Sequence, residues 1–405
     1  MFPSQSGRTF QRGRRLILVI IGSLFLAGAA VRLAPLASDT HTVAAITEDG
    51  YLMLTVARNL ALGRSLTIAD GTIATNGVQP LVTLIWGGLH RLFDGERLPS
   101  LRAVIITEFV VAVCTAMLVA GLARPVFRRF AWRDGAAALA AACWFASPLA
   151  VRHTTNGLET GFSVCGLAAF LLLDRRWARR SLARAVVMGA SLGVLFLLRN
   201  DAVFFILAYL ALELFGTGNR LPIEKRGISQ RVMDACAAAL ASVVVASPWL
   251  LYNARVFGHI VPVSGRAQNL NLQTGENLVE VPRVLAEYAW VATPLPAWLG
   301  YETGWAGLTA ALAVCLVSAT LVLARRVGIT LERWMVLVLL HVALLTAYYG
   351  LFFGAAYFLS RYLFPLSLVS ALVPCVWVFA RRPTERGIAA TGVVMAACVA
   401  ALMIW

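Results

Sequence analysis

Long apolar runs alternate with short polar segments along almost the whole chain. Runs of this kind are typical of helices that cross a membrane, although several are rather short for it. We therefore predict an all-α, polytopic membrane protein with eleven spans, at residues 16–34, 101–123, 135–151, 159–173, 183–199, 201–216, 232–252, 305–323, 333–353, 362–379 and 387–405.

The apolar run 79–93 is treated differently because of its length. A helix over this run would cover roughly 22 Å, less than the roughly 30 Å of the hydrocarbon core. Without it as a span, the segments "RPVFRRFAWR", "RRWARR", "RLPIEKR", "RRVGITLER" and "RRPTER" share one side with the N-terminal arginines. The positive-inside rule then predicts a cytoplasmic N-terminus and an outer C-terminus. The first run is interpreted as an uncleaved span, with a cleaved signal peptide as the alternative.

This topology places two long loops outside, at 35–100 and 253–304. We accordingly divide the chain into a membrane module (1–252) that holds the first loop, the second loop (253–304) and C-terminal helices (305–405). Long ordered loops often carry function.

Two helices are predicted in the first loop. The first covers 48–62, with Thr47 as N-cap, Gly63 as C-cap and an apolar stripe of Met53, Val56, Ala57 and Leu60. The second covers 80–93 and begins at Pro80. It is expected to lie on the membrane surface, with Leu81, Leu84, Ile85, Leu89 and Leu92 opposite Thr83, His90 and Arg91.

Composition excludes other classes of protein. With 60% hydrophobic and 14% charged residues, and a mean hydropathy of +0.77, the chain does not fit one soluble core. The net charge of +15 does not indicate nucleic-acid binding, because the basic residues lie in short clusters between apolar runs. All seven cysteines lie within apolar runs and form no CxxC, so neither a disulfide framework nor a zinc site is indicated.

Charged residues converge on the predicted outer face. Any one of them is more often an interfacial anchor, and acids in a first helical turn also offset the helix dipole. Together they suggest a site, because arginine suits phosphate and carboxylates suit proton transfer or a metal. They are the acids Glu48, Asp49 and Glu159 and the arginines Arg199, Arg266 and Arg361. The motif "GASLG" matches a hydrolase elbow, but it lies within a predicted span, so Gly189 and Gly193 are interpreted as a helix-packing site.

Several motifs occur in an order that resembles a known family. "EDGYLMLTVARNLALG" and "ADGTIATNGVQPL" in the first loop are followed by "NGLET", "RND", "PWLLYNARVFGHIVPVSGRAQ" and "RYLFP". This series resembles the C-type (GT-C) glycosyltransferases, integral-membrane enzymes that use polyprenyl-phosphate sugars, and is similar to actinobacterial cell-wall arabinofuranosyl- and mannosyltransferases. The usual acidic pair in that family is Asp-Asp or Asp-Glu. Glu comes first here, which leaves open which carboxylate is the base.

The resemblance implies roles for individual residues. Glu48 and Asp49 would supply the catalytic base, and Glu159 would assist or bind metal. Arg361, Arg266 and Arg199 would bind the donor phosphate. Substrate-binding positions would be Tyr51, Asn76, Gln79, Asn200, Asp201 and Tyr362. The pattern requires no cofactor, and a divalent metal is the alternative it admits.

The expected function is inverting transfer of a sugar from a polyprenyl-phosphate donor to a cell-envelope glycan or glycolipid. It would take place on the extracytoplasmic face of a bacterial plasma membrane, with the donor, the acceptor and the bilayer as partners and no nucleic acid. One alternative is a transporter or flippase of a lipid-linked sugar, which predicts a polar pathway and inverted repeats. A non-catalytic scaffold for envelope synthesis is another.

Overall fold

The structure is a computed structural model that describes residues 5–130, 132–177, 179–215, 227–262, 273–289, 306–353 and 358–380. Within these ranges the chain is helical and forms no strand, and an isolated bridge pairs Thr67 with Ala74. The predicted span 387–405 lies outside the described residues, as does Arg266.

The N-terminal third contains the first predicted outer loop between two long helices. Its helices are α1 (Gln5–Leu33), α2 (Asp39–Ala44), α3 (Glu48–Ala61), α4 (Pro80–Leu92) and α5 (Arg97–Val126). The predicted boundaries of α3 are confirmed. The Thr47 hydroxyl accepts a hydrogen bond from the Gly50 amide at 3.3 Å, and Gly63 follows the helix with a φ of +77°.

The middle of the chain contains six helices. They are α6 (Arg133–Ala146), α7 (Pro148–Thr154), α8 (Thr160–Arg176), α9 (Leu182–Leu198), α10 (Val203–Phe215) and α11 (Ile228–Phe257). The predicted span 135–151 is bent by 60° between α6 and α7. The bend falls at Ser147, which is extended because a residue before proline avoids the helical region.

The last part contains the second predicted outer loop and the C-terminal helices. The helices are α12 (Val281–Ala289), α13 (Ala306–Arg326), α14 (Arg333–Leu351), α15 (Leu359–Tyr362), α16 (Ser367–Ser370) and α17 (Val373–Ala380). The predicted span 362–379 agrees with an apolar helical stretch at Phe364–Phe379, which opens with a 3₁₀ turn at Phe364–Leu366. Pro365 lies in this first turn, where its missing amide donor costs no helical hydrogen bond.

Four described helices are long and apolar enough to cross a membrane, and α6 with α7 would add a fifth if they form one bent span. The four are the helices at Arg14–Ala37, Arg97–Val126, Ile228–Phe257 and Arg333–Leu351. Helices α8, α9, α10 and α13 follow four more of the predicted spans to within a few residues. The all-α polytopic architecture is confirmed, and the number of eleven spans stays a prediction.

The "GASLG" glycines pack helix on helix, as predicted. A Cβ atom at Gly189 would lie 2.2 Å from the Ala238 carbonyl oxygen, and one at Gly193 would lie 2.7 Å from the Ser242 carbonyl oxygen. Both contacts are with α11. Only a residue without a side chain allows the two backbones to approach this closely.

Helix α4 packs on the protein through its small and polar face, and its location on the membrane surface stays a prediction. Thr83 and His90 are buried, whereas Leu84 and Leu92 are 57% and 74% exposed. The small and polar face packs on α3, where a Cβ atom at Gly87 would lie 3.3 Å from the Ala57 carbonyl oxygen. In a membrane protein the apolar face can remain towards lipid, so the small face drives the packing. In the predicted α3 stripe, Met53, Val56 and Ala57 are buried and Leu60 is half-buried.

Candidate active site

The acidic pair lies at the start of α3. Thr47 caps the helix, and Glu48 and Asp49 occupy its first turn, where carboxylates are favoured by the helix dipole. The Glu48 side chain is exposed and the Asp49 side chain is partly exposed. Both carboxylates are therefore accessible at the mouth of the helix.

Asp49 pairs with Arg361 across the chain. The Arg361 Nη1 atom donates to Asp49 Oδ2 at 2.9 Å, and the two residues are 312 positions apart. The Arg361 guanidinium carbon lies 4.7 Å from the centre of the Phe358 ring. Such cation–π contacts stabilise a partly desolvated guanidinium. The fold thus brings the predicted base and a predicted phosphate ligand together.

Arg199 forms a second, deeper cluster next to Arg361. It ends α9 in an extended conformation, and its Nε atom lies 3.0 Å from Asp201 Oδ2 and 3.8 Å from Glu159 Oε1. Its Nη1 atom also donates to the Arg361 carbonyl oxygen at 3.4 Å. The Arg199 and Glu159 side chains are almost fully buried. Glu159 is thus placed beside an arginine.

Two stacked tyrosines pack against the Arg199 guanidinium. The Tyr349 and Tyr362 rings stack with centroids 3.7 Å apart, and the Arg199 guanidinium carbon lies 4.8 Å from the Tyr362 ring centre. The Tyr349 hydroxyl donates to Asp201 Oδ2 at 3.1 Å. Tyr362 therefore contacts the site through the face of its ring, and Asp201 is held by two neighbours.

Both guanidinium groups keep buried N–H groups without a partner. Within the described part of the chain, Arg361 Nε and Arg199 Nη2 form no hydrogen bond. A second charged cluster, at the other end of α8, contains Asp174, Glu213, Arg180, Arg184 and Arg333. None of the buried nitrogen or oxygen atoms of those five side chains is unpaired among the described residues. Unpaired buried donors are unfavourable, so the cluster that contains Arg199 and Arg361 suits an anionic ligand.

The predicted substrate-binding residues occupy different positions. Gln79 Oε1 accepts from the Asn200 amide at 3.0 Å, so these two residues meet beside Arg199. The Tyr51 hydroxyl donates to the Val43 carbonyl oxygen at 2.8 Å. Asn76 is fully buried, and its Nδ2 atom donates to Asn253 Oδ1 at 3.2 Å. The amide of Asn76 thus joins the first loop to the end of α11.

Three residues missed by the sequence analysis lie beside Arg361. The Ser360 hydroxyl donates to Glu287 Oε2 at 2.9 Å and lies 3.3 Å from His153 Nε2. Ser360 thereby joins α15 to α12 of the second loop and to α7. Burial raises the pKa of Glu287, against the opposing effect of the Arg283 guanidinium. Ser360 directly precedes the motif "RYLFP", but no signal in the chain indicated that it meets Glu287 and His153.

Among the residues that the structure describes, no group of three or more His, Cys, Asp and Glu side chains is arranged to hold a metal ion. Glu159, the residue expected to assist or bind metal, lies beside the Arg199 guanidinium.

Comparisons with known proteins agree with this architecture. Residues 78–252 match the family described as dolichyl-phosphate-mannose-protein mannosyltransferase. The structure of ArnT from Cupriavidus metallidurans bound to undecaprenyl phosphate is similar, with a TM-score of 0.59 and 15% identity, over 95% of this chain and 63% of that chain. Archaeal oligosaccharyltransferase AglB from Archaeoglobus fulgidus, in complex with an inhibitory peptide and a dolichol-phosphate, has a TM-score of 0.55 and 16% identity, over 96% and 55%.

The chain thus spans less than two thirds of the length of either structure. A comparison with curated proteins finds no match. The resemblance expected from the ordered series of motifs is confirmed at the level of the fold and, over residues 78–252, at the level of the sequence. The chain is a multi-pass membrane protein with the fold of the C-type glycosyltransferases.

Proposed function

We propose that this chain is an inverting glycosyltransferase that moves a sugar from a polyprenyl-phosphate donor to a cell-envelope glycan or glycolipid. The observation that carries the proposal is the pairing of an exposed acidic helix start with two guanidinium groups, a half-buried one at Arg361 and a buried one at Arg199. Asp49 contacts Arg361 at 2.9 Å, and both Arg361 and Arg199 retain an unpaired buried N–H group within the described residues. A base and an anion site therefore lie side by side.

The donor phosphate would bind to Arg361 and Arg199, with Arg266 as a third ligand from the second loop. Guanidinium groups bind phosphate through directed, charge-assisted hydrogen bonds. The two similar structures contain undecaprenyl phosphate and dolichol-phosphate, which supports a polyprenyl-phosphate donor here.

The reaction would proceed by one displacement. Asp49 or Glu48 accepts the proton of an acceptor hydroxyl, whose oxygen forms a bond to the anomeric carbon of the sugar. The bond between that carbon and the phosphate oxygen breaks, and the lipid phosphate leaves with the electron pair. The two arginines stabilise the charge that develops on the phosphate. A single displacement inverts the anomeric centre.

We place the site on the extracytoplasmic face of a bacterial plasma membrane. The predicted topology puts the arginine-rich segments on the cytoplasmic side and the site residues on the opposite side. An acceptor in the cell envelope follows from that location. The resemblance to arabinofuranosyl- and mannosyltransferases makes cell-wall synthesis the process that we propose.

The proposal is tested by radiolabel transfer in membranes that contain the chain, with a panel of polyprenyl-phosphate sugars that includes arabinofuranose and mannose. We expect one donor to label a glycan or glycolipid fraction, with inversion at the anomeric carbon. The double variant Glu48→Gln, Asp49→Asn serves as control, and EDTA tests the need for a divalent metal. Label that crosses the membrane on its lipid without being transferred would instead favour a flippase.

A further inference from the structure

Glu108 is a carboxylate inside the long apolar helix α5 (Arg97–Val126). Its side chain is buried, with 3% of the residue exposed. Ionisable residues within membrane helices are costly and usually serve a function. Glu108 does not contact the acidic pair or the arginines of the candidate site through any hydrogen bond or ion pair in the described part of the chain. Its role must therefore be indirect.

The contact that Glu108 makes is with the segment that precedes α8. Its Oε1 atom accepts a hydrogen bond from the Gly157 amide at 2.8 Å. Gly157 has a φ of +80°, a conformation that other residues rarely adopt. The nearby Arg32 guanidinium donates to the Phe145 carbonyl oxygen and to the Thr154 hydroxyl, at 2.6 and 3.3 Å. Glu108 thus holds a backbone turn.

The Asn156–Gly157 segment is also held by two other elements. The Trp86 indole N–H donates to the Gly157 carbonyl oxygen at 3.2 Å. The amide and hydroxyl of Thr47 donate to the Asn156 carbonyl oxygen at 3.3 and 3.1 Å. A Cβ atom at Gly50 would lie 2.2 Å from the same oxygen, so the first turn of α3 lies directly on the segment. A shift of the segment would move that turn.

The segment therefore connects the two places where the site has carboxylates. Thr47 directly precedes Glu48 and Asp49, and Glu159 follows Gly157 by two residues at the start of α8. We infer that Glu108 is a positioning residue that fixes the Asp49 and Glu159 carboxylates relative to each other through the Asn156–Gly157 backbone. This inference rests on the glycosyltransferase function proposed above. A displacement of about 1 Å in a reacting group can lower a rate by about a hundredfold.

The test compares Glu108→Leu with Glu108→Gln. Leucine removes the acceptor of the Gly157 amide, whereas glutamine keeps a carbonyl oxygen in its place. The matched control is Thr115→Ala on the same helix. The Thr115 hydroxyl donates to the Val111 carbonyl oxygen at 2.8 Å and neighbours Cys165, and among the described residues it has no hydrogen bond to the Asn156–Gly157 segment. The measurements are kcat, the KM for the lipid donor, and backbone hydrogen exchange of residues 44–54 and 152–160.

For Glu108→Leu we expect kcat to fall by about tenfold to a hundredfold, while the donor KM changes by less than about threefold. Exchange in both segments should become faster. Glu108→Gln should restore both readouts, and Thr115→Ala should match the wild type. A residue that only stabilises the fold would lower the yield of folded enzyme without this split between kcat and KM. If Glu108→Leu does not fold, Trp86→Phe serves instead, because it removes the other side-chain hydrogen bond to Gly157. It should also lower kcat without a matching change in the donor KM, by a smaller factor.

Unchanged exchange and unchanged kcat in Glu108→Leu would overturn the inference and leave the proposed function intact. Faster exchange in Glu108→Leu, with no transfer by the wild type from any donor, would support the structural link and remove the proposed function. A fall in kcat that Glu108→Gln does not restore would also overturn the inference, since the retained acceptor should suffice.

Discussion

Arg361 and Arg199 share a feature at the residue scale, which is that each guanidinium lies on an aromatic ring. Arg361 contacts the Phe358 ring at 4.7 Å, and Arg199 contacts the Tyr362 ring at 4.8 Å. The ring faces stabilise the cations and cover one side of each, so that the remaining N–H groups can point at a ligand. If acidic side chains were the only neighbours of the two arginines, the positive charges of the guanidinium groups would be neutralised.

Replacement of Arg361 by alanine should weaken use of the lipid donor strongly. Truncation of one partner of a buried, hydrogen-bonded charge pair costs about 2–5 kcal/mol, which is at least about thirtyfold in affinity. The control is Arg325→Ala, because Arg325 is exposed in the last turn of α13 and lies in a predicted inner segment. The measurement is the donor KM of purified enzyme. Equal effects of the two substitutions would remove Arg361 from the donor site.

His90 gives a prediction of pH dependence in the first loop. Burial, with a smaller contribution from the Arg58 guanidinium, lowers the pKa of His90 from 6.5 to about 4. The unfolded chain therefore binds a proton more readily, and stability that is present above about pH 6.5 is lost as the pH falls towards 4. We expect the melting temperature of the wild type to fall between pH 7 and 5. His90→Leu should reduce this dependence.

The matched control for His90→Leu is Thr83→Val on the same helix, which removes a buried polar group that does not titrate and should keep the wild-type pH dependence. Identical slopes for His90→Leu and the wild type would contradict the assignment. The melting temperatures can be measured on detergent-solubilised protein at constant ionic strength.

The residues that could be predicted for the site are those that belong to ordered motifs. Asp49 and Arg361 were both expected, and they form an ion pair in the structure. Ser360, Glu287 and Glu108 were not expected. Their partners are 49 to 207 positions away, as in the bonds of Glu108 with Gly157 and of Ser360 with His153. The sequence around a polar residue in a hydrophobic chain does not indicate which residue it will contact, because only the tertiary fold decides which distant groups meet.

At the scale of elements, the contact of α3 with the Asn156–Gly157 segment gives the sharpest prediction. Gly50→Ala would place a methyl group 2.2 Å from the Asn156 carbonyl oxygen, so the acidic helix must shift. We expect transfer to fall by at least about tenfold, since displaced catalytic groups lose rate steeply. Sugar transfer at matched folded protein is the measurement.

Gly88→Ala is the matched control for Gly50→Ala. Gly88 is helical, and a Cβ atom there would meet nothing within 4 Å. Alanine in an open helical position is more stable than glycine by about 0.5–1 kcal/mol, so this variant should be active and slightly more stable. If Gly50→Ala were as active as Gly88→Ala, the close contact with Asn156 would not position the acids.

The same scale explains where the pattern of apolar residues was insufficient. It predicted helix α4 and its apolar face, but not which residues of α4 contact the rest of the protein. In water the apolar face must be buried, whereas in a bilayer it can face lipid and leave the small residue Gly87 to contact α3. Likewise, the apolar run predicted as one span at 135–151 is bent by 60° between α6 and α7, where Ser147 precedes Pro148. Hydropathy alone does not record where backbone geometry interrupts a run.

At the scale of the whole molecule, charges separate along α8. The helix has 17 residues and a length of about 25 Å, with Glu159 at its start and Asp174 near its end. The Glu159 end faces the incompletely paired arginines, and the Asp174 end lies in the fully paired cluster. The Glu159 end of the bundle is thus suited to bind a ligand, whereas the paired charges at the Asp174 end hold the helices together.

The eleven-span topology predicts which side of the membrane each segment occupies. Single cysteines at Gly71 and Gln273, in a cysteine-free background, should react with an impermeant maleimide in whole cells, because both lie in predicted outer loops. A cysteine at Leu331 should not react, since this exposed residue lies in the predicted inner segment "RRVGITLER". Leu331 should react after the membrane is permeabilised. Labelling of Leu331 in intact cells would overturn the topology.

The measurement that tests the account most directly is sugar transfer by Asp49→Asn and Glu48→Gln. Both substitutions keep size and most of the capacity to cap α3, so a purely structural pair predicts losses of about 1 kcal/mol in stability and little else. A positioned general base predicts that at least one variant loses roughly a hundredfold or more in kcat. Donor binding and membrane insertion should remain near wild type. If both purified variants transfer sugar at the wild-type rate, the glycosyltransferase mechanism is wrong.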